Sequence, residues 1–250
     1  MEKILNLIMD IGEEMLISGA EVHRVEESIT RMCCASGAES TDVFIITSSM
    51  ITTAYLPNGE SISQTRRIHS LETNYEKLHQ LNDLSRRICA NKMTVEGIRA
   101  EIERIKNGKT YPFWLECLCY AVIAGAFTLF FGGNHIEMLV SFVVGGIVRL
   151  GLALCNRLEF NRIFNRFFSA ALATALALLA TKLALVSTVD KIIIGNIMTL
   201  IPGVGLTTAL RDLFTGDSMT GLLRTIEAVL LALAIAAGYF LVTLMGGIVL

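Results

Sequence analysis

The stretch Ile192–Arg224, IIIGNIMTLIPGVGLTTALRDLFTGDSMTGLLR, decides the fold. It starts as an apolar helix, meets Pro202-Gly203-Val204-Gly205 where the chain is expected deep in a membrane, and resumes through Leu206–Leu210. Proline removes a backbone donor and clashes with the preceding turn, and two nearby glycines weaken the helix further. In lipid the released N–H and C=O groups meet no water, so such a break persists only where protein or a wet cavity surrounds it. Transporters that hold their solute at discontinuous helices are built this way. The plainer alternative is a proline kink in an ordinary spanning helix. Polar Asn196, Thr199, Thr207 and Thr208 flank the break and favour the functional reading. The candidate solute-binding residues are therefore Asn196, Thr199, Pro202, Gly203, Gly205, Thr207, Thr208, Arg211 and Asp212.

Working outward, long apolar runs fill residues 111–250 and predict five spans, at about 113–131, 138–154, 167–186, 191–210 and 221–250. Tyr111-Pro112 and Trp114 suit the interface at the first entry. Basic segments at Lys106–Lys109, at Arg157, Arg162 and Arg166, and at Arg211–Arg224 all fall on one side of that arrangement. The positive-inside rule makes this side the cytoplasm and puts the C-terminus outside. Ser169, Ala173, Ala177 and Thr181 in the third span, and Ala228, Ala232 and Ala236 in the fifth, are spaced for close helix packing. Arg149 and Lys182 lie within reach of an interface and can snorkel. Arg224 and Glu227, one turn apart, are read as an ion pair or gate, while Arg211 and Asp212 either anchor the broken helix or complete a gate.

Residues 1–110 carry most of the charge and predict an α+β domain in the order ααβββαα, ahead of the all-α membrane domain of residues 111–250. Ile4, Leu7, Ile8, Ile11 and Met15 recur at helical spacing up to Ser18-Gly19; a second helix over Glu21–Ala35 ends at Gly37. Asp42–Thr47, Met50–Leu56 and Ser61–Ile68 read as strands around a Pro57-Asn58-Gly59 turn. Leu71, Tyr75, Leu78, Leu81 and Ile88 mark a third helix, and Thr94 caps a fourth. The acid-punctuated N-terminus lacks a basic region followed by a cleavable apolar core, so no signal peptide is expected and the domain stays in the cytoplasm. A net charge of −2 without a basic, aromatic-interleaved patch gives no reason to expect nucleic acid. Six scattered cysteines read as small buried side chains, and His23, His69 and His79 as solvated surface. No metal set, nucleotide fingerprint or activated nucleophile is apparent, so no cofactor and no enzyme activity are expected.

Taken in order, several short segments resemble the threonine/serine exporter (ThrE-like) family, in particular its shorter, split YjjP-like members. They are Gly19-Ala20-Glu21, Arg24-Val25-Glu26, Thr73-Asn74, Asn82, Ser85-Arg86-Arg87, Tyr111-Pro112, Ile201-Pro202-Gly203, Ala209–Leu213, Gly216-Asp217 and Gly221-x-x-Arg224. The resemblance covers nearly the whole chain and marks Arg24, Glu26, Asn74, Asn82 and Arg86 as the soluble domain's motif. It implies a subunit of a multi-pass bacterial inner-membrane exporter of threonine, serine or succinate-like solutes, oligomeric and partnered by a small YjjB-like membrane protein. Where the family often has Asn, this chain has Thr208, which keeps a hydroxyl but lacks the amide's paired donor and acceptor.

Two function classes follow. In the first the chain is half of a secondary transporter, with a solute carboxylate at the start of the second half-helix. In the second it is a membrane-tethered enzyme or regulatory subunit whose soluble domain acts on or senses a metabolite, with Arg24, Glu26, Asn74, Asn82 and Arg86 as its pocket.

Overall fold

The computed structural model describes residues 1–68, 72–90, 93–108 and 111–249, with side chains up to Gly246. His69, Leu71, Lys109 and Leu250, named above, lie outside the described residues. Two compact units form, and they are not the two halves of the sequence. The first gathers Met1–Lys109 with Gly205–Thr225; the second gathers Thr110–Val204 with Ile226–Leu250.

In the first unit α1 (Glu2–Ile17) and α2 (Val22–Ala35) precede β1 (Ser40–Ile46), β2 (Ser49–Tyr55) and β3 (Ser61–Arg67), then α3 (Tyr75–Cys89) and α4 (Val95–Lys106). The αα–βββ–αα order is the one the periodicity predicts. Gly19, at φ +94°, lets the chain leave α1 in the left-handed region while the Ala20 N–H closes back on the Met15 carbonyl. The sheet is antiparallel in the order β1-β2-β3, with Phe44 opposite Ile51 and Ile51 opposite Thr65. Period two turns Ile45, Met50 and Ala54 into a core shared with Leu5, Ile8, Met15, Val25, Ile29, Leu81, Ile98 and Ile102. Asn74 caps α3 by accepting from the Lys77 N–H at 3.0 Å, and Thr94 caps α4 by accepting from Gly97 at 3.2 Å.

In the second unit α5 (Phe113–Phe130) and α6 (His135–Arg157) form an antiparallel pair, followed by α7 (Arg162–Lys182) and the eight-residue α8 (Asp190–Ile197). Two further helices, α9 (Gly203–Thr215) and α10 (Ser218–Val249), complete the chain. Asn134 and Glu137 make a reciprocal capping box at the start of α6. Among the described residues four helices are long and apolar enough to cross a membrane: α5, α6, α7 and α10. The expected fourth span is not a single helix but α8 and α9, parted at residues 198–202. At about 1.5 Å per residue α8 is roughly 12 Å long, well short of a ~30 Å hydrocarbon layer.

The interruption starts earlier than Pro202. The Thr199 hydroxyl and N–H both turn back to the Asn196 carbonyl, at 2.7 and 3.2 Å, and the Leu200 N–H takes that of Ile197 at 2.8 Å. These tight i→i+3 bonds use up the end of α8, and Pro202 has no N–H with which to continue it. Of the small-residue stripe of α7, Ser169, Ala173 and Ala177 are fully buried and Thr181 is half-buried. That of α10 is rotated: Ala228, Ala234 and Ile235 are buried and Ala232 and Ala236 are exposed. Gly238 sets this face, because a Cβ there would meet the Ala171 backbone nitrogen at 3.1 Å. The six cysteines are free, but only Cys33 and Cys155 are buried; Cys34 and Cys119 are exposed.

Candidate functional site

Just before the break, α8 runs along α5 and α6 with a closed polar cluster between them. Asn196, 1% exposed, donates its Nδ2 to the Ser141 hydroxyl at 2.8 Å and to the Ile192 carbonyl at 2.9 Å. Ser141 Oγ also lies 2.7 Å from Thr128 Oγ1, and both hydroxyls reach the Ala124 carbonyl, at 3.1 and 2.9 Å. Gly195 permits the approach, since a Cβ there would stand 2.7 Å from the Ala124 carbonyl oxygen and 2.9 Å from the Thr128 nitrogen. Asn196 Oδ1 is sealed from solvent without a hydrogen-bond partner. An unsatisfied buried acceptor costs about 1–3 kcal/mol. Asn196 was legible in the sequence; Thr128 and Ser141 were not, because single hydroxyls in apolar runs carry no periodic signal.

Nearer the start of α8, Glu137 accepts from the Thr188 hydroxyl, from the Thr188 N–H at 3.3 Å and from the Asn134 N–H at 2.8 Å. Its charge is spent on joining the ends of α6 and α8. Between α5 and α6, Glu116 forms an ion pair with Arg149, whose guanidinium lies 5.0 Å from the Phe113 ring centre and 5.7 Å from that of Tyr120. Arg149 is therefore paired rather than snorkelling, and Glu116, an acid inside the first apolar run, is the signal that the sequence reading passed over.

The remaining candidates separate. Thr199 is half-buried with its hydroxyl on the Asn196 carbonyl, and Pro202 is half-buried beyond it. Gly203, Gly205 and Thr207 are exposed and Thr208 is half-buried. Arg211 and Asp212 belong to the first unit. Arg211 pairs with Glu21 at 2.8 Å, and Asp212, fully buried, accepts from Arg224 Nη1 at 2.7 Å. The expected Arg224–Glu227 pair gives way to other partners: Arg224 turns to Asp212, and Glu227 takes Arg162 at 3.2 Å. A fully buried carboxylate gains far more from a guanidinium than an exposed one does, which decides the competition.

The motif of the N-terminal domain is dispersed. Arg24 reaches Asn82 at 3.5 Å, Asn74 serves as the α3 cap, and Arg86 stands near Asp83 at 4.0 Å on the surface. Glu26 instead faces Asp217, and burial first, then that neighbouring charge, raises its pKa, while His23 and the Ile45 N–H act the other way.

Four membrane-length apolar helices among the described residues, a chain interrupted between α8 and α9 and a small α+β unit define a multi-pass membrane protein. The family is settled by comparison: the family model described as "Putative threonine/serine exporter" (ThrE) matches residues 6–245, and the chain belongs to that family of membrane transporters. It is 26% identical to a "Probable threonine/serine exporter" of Mycobacterium tuberculosis over 98% of its own length and 46% of that protein. Against the "Threonine/serine exporter" of Corynebacterium glutamicum the identity is 24%, over 94% of this chain and 50% of the relative. It is also 25% identical to a "Probable succinate transporter subunit YjjP" of Klebsiella aerogenes, over 98% of this chain and 95% of that one. The chain thus spans about half the length of the first two relatives. No solved structure matches it.

Proposed function

We propose that the chain is a subunit of a secondary-type exporter of small carboxylate-bearing metabolites, threonine and serine or succinate-like dicarboxylates, and that the solute binds where α8 breaks off. The observation that carries this reading is the buried, unpartnered side-chain oxygen Oδ1 of Asn196 at the end of α8. The depth of the break supports it. From Thr188 beside Glu137, through Asn196 beside Ser141, the chain reaches Leu200, which joins Val144 and Val148 in one apolar cluster. Glu137 to Val148 along α6 is about 16 Å, roughly half of a hydrocarbon layer.

In this reading Asn196 Oδ1 accepts from a solute ammonium or hydroxyl, Thr199 adds a hydroxyl beside it, and the positive end of the α9 dipole at Gly203 favours a carboxylate. α8 and the residues that follow it to Leu210 form the fourth of five crossings, and Arg211 onward lies beyond it. The distribution of the basic segments supports an N-terminal domain in the cytoplasm of a bacterial cell and a C-terminus outside its inner membrane. The YjjP relatives, named as subunits, support a small second membrane protein as partner in an oligomeric assembly.

The test is efflux of labelled threonine, serine and succinate from preloaded vesicles holding the chain with a small YjjB-like partner. Asn196→Ala is expected to lower efflux at least ~10-fold, the loss of roughly 1.4 kcal/mol of solute interaction. Unchanged efflux in both Asn196→Ala and Thr199→Ala rules the site out.

A further inference from the structure

The second concentration of unsatisfied charge lies wholly in the first unit, where α9, the Gly216-Asp217 turn and the first turns of α10 dock on α2 and β1. The geometry points to a proton-binding site made by Glu26, Asp212 and Asp217, which fastens this α9–α10 elbow to the N-terminal domain. The inference does not depend on the solute site proposed above.

Asp212 is fully buried; Arg224 Nη1 occupies its Oδ2, the Val22 N–H is turned toward its carboxylate, and its Oδ1 is sealed from solvent with no hydrogen bond closed on it. Arg224 is 9% exposed, and its Nε is likewise sealed and unpartnered. Asp217 donates its N–H to the Asp212 carbonyl at 2.9 Å, while its Oδ2 is sealed without a partner. Glu26 comes from α2 to face Asp217, and the Ile45 N–H of β1 is turned toward its carboxylate. The Ile45 carbonyl meets the Thr220 hydroxyl of α10 at 3.5 Å, so one β1 residue is held by both sides. Glu21 and Arg211 cancel each other at the edge, at 2.8 Å, and His23 is an exposed neighbour of Glu26.

Asp212 alone has the Arg224 guanidinium, while Asp217 lies close to both Asp212 and Glu26. Removing that excess of negative charge from water is expensive, and the inexpensive remedy is a proton from solvent on one carboxylate oxygen. Among the described residues no group of His, Cys, Asp or Glu is spaced to hold a metal ion, which favours a proton over a metal cation. Burial raises the pKa of Asp212 and of Glu26, in the direction that geometry requires; Arg224 and the Val22 N–H pull Asp212 back. Groups with raised folded-state pKa values stabilise below their unfolded values and lose that contribution as pH rises, so the elbow is fastened in acid and loosened as the proton leaves.

The experiment uses the full solubilised chain. Infrared difference spectra should show a protonated-carboxyl C=O band that persists above the ordinary carboxylate range and disappears in Glu26→Gln. Hydrogen-exchange protection of residues 205–225, corrected for intrinsic rates, should fall about 10-fold or more between about pH 5 and pH 8, and about 2-fold or less in Glu26→Gln. Asp217→Asn repeats both measurements should the first variant fold poorly. Absence of the band in wild type above about pH 5, or a band and protection profile unchanged in both variants, overturns the site.

Discussion

Replacing Arg224 by Met leaves Asp212 as a fully buried carboxylate without its guanidinium. The two charged groups are 2.7 Å apart at their nearest atoms. Unit charges about 4 Å apart interact by roughly 4 kcal/mol at an effective dielectric near 20, and removing one partner of a buried pair costs about 3–5 kcal/mol. In a chain of this size 1 kcal/mol shifts Tm by about 2–4 °C, so Arg224→Met should melt roughly 10 °C lower at neutral pH. The remaining carboxyl, already pushed up by burial, rises further once the guanidinium is gone. An acid with a raised folded pKa stabilises below its unfolded value of 3.8 and loses that stability as pH climbs, so the deficit should shrink on acidification. Asp212→Leu combined with Arg224→Met removes both charges and should recover most of the loss. Scanning fluorimetry of the solubilised variants between about pH 4 and pH 8 reads all three outcomes. A single variant melting within about 2 °C of wild type at every pH refutes the argument, since the buried carboxylate would then not need its partner.

Gly195→Ala drives a Cβ to 2.7 Å from the Ala124 carbonyl oxygen, so α8 must move off α5. A loss of about 1–3 kcal/mol and a lower melting point are expected, and a neutral variant removes the close approach as a constraint. Glu101 is held at about 2 by hydrogen bonds from Arg104 and Arg87. Its contribution is present above the unfolded value of 4.5 and lost as pH falls toward about 2, so Glu101→Gln should flatten the acid limb of a stability–pH curve. Thr128→Val keeps the shape but removes the hydroxyl on Ser141 and on the Ala124 carbonyl, and should cost about 1–3 kcal/mol in melts of the reconstituted chain.

What could be read ahead of the structure was what short-range chemistry fixes. Gly19, the Asn58-Gly59 turn, the Thr94 cap and the apolar periods locate most element ends to within a few residues. The interruption was visible through Pro202, but its start at Ile197 depends on the Thr199 side chain turning back to Asn196, which no propensity encodes. Alanine richness made several faces of α10 equally good, and only Gly238 against the α7 backbone selected one. Least legible was the docking of residues 205–225 on α2 and β1. Glu26 and Asp217 are far apart in sequence, and the local i,i+3 spacing of Arg224 and Glu227 suggested a pair that burial of Asp212 overrides.

The composition of the first unit bears on how the polypeptide matures. Its first 109 residues leave the ribosome early, but the piece that supplies Asp212, Thr220 and Arg224 follows only after three apolar helices and α8 have been made. Roughly 100 residues at about 5–20 per second amount to a wait on the order of 5–20 s. During that interval the Ile45 carbonyl and the Glu26 carboxylate stand uncovered. The nascent domain is thus finished only once membrane insertion is well advanced, and a chaperone or the bilayer surface has that long to hold its unfinished edge.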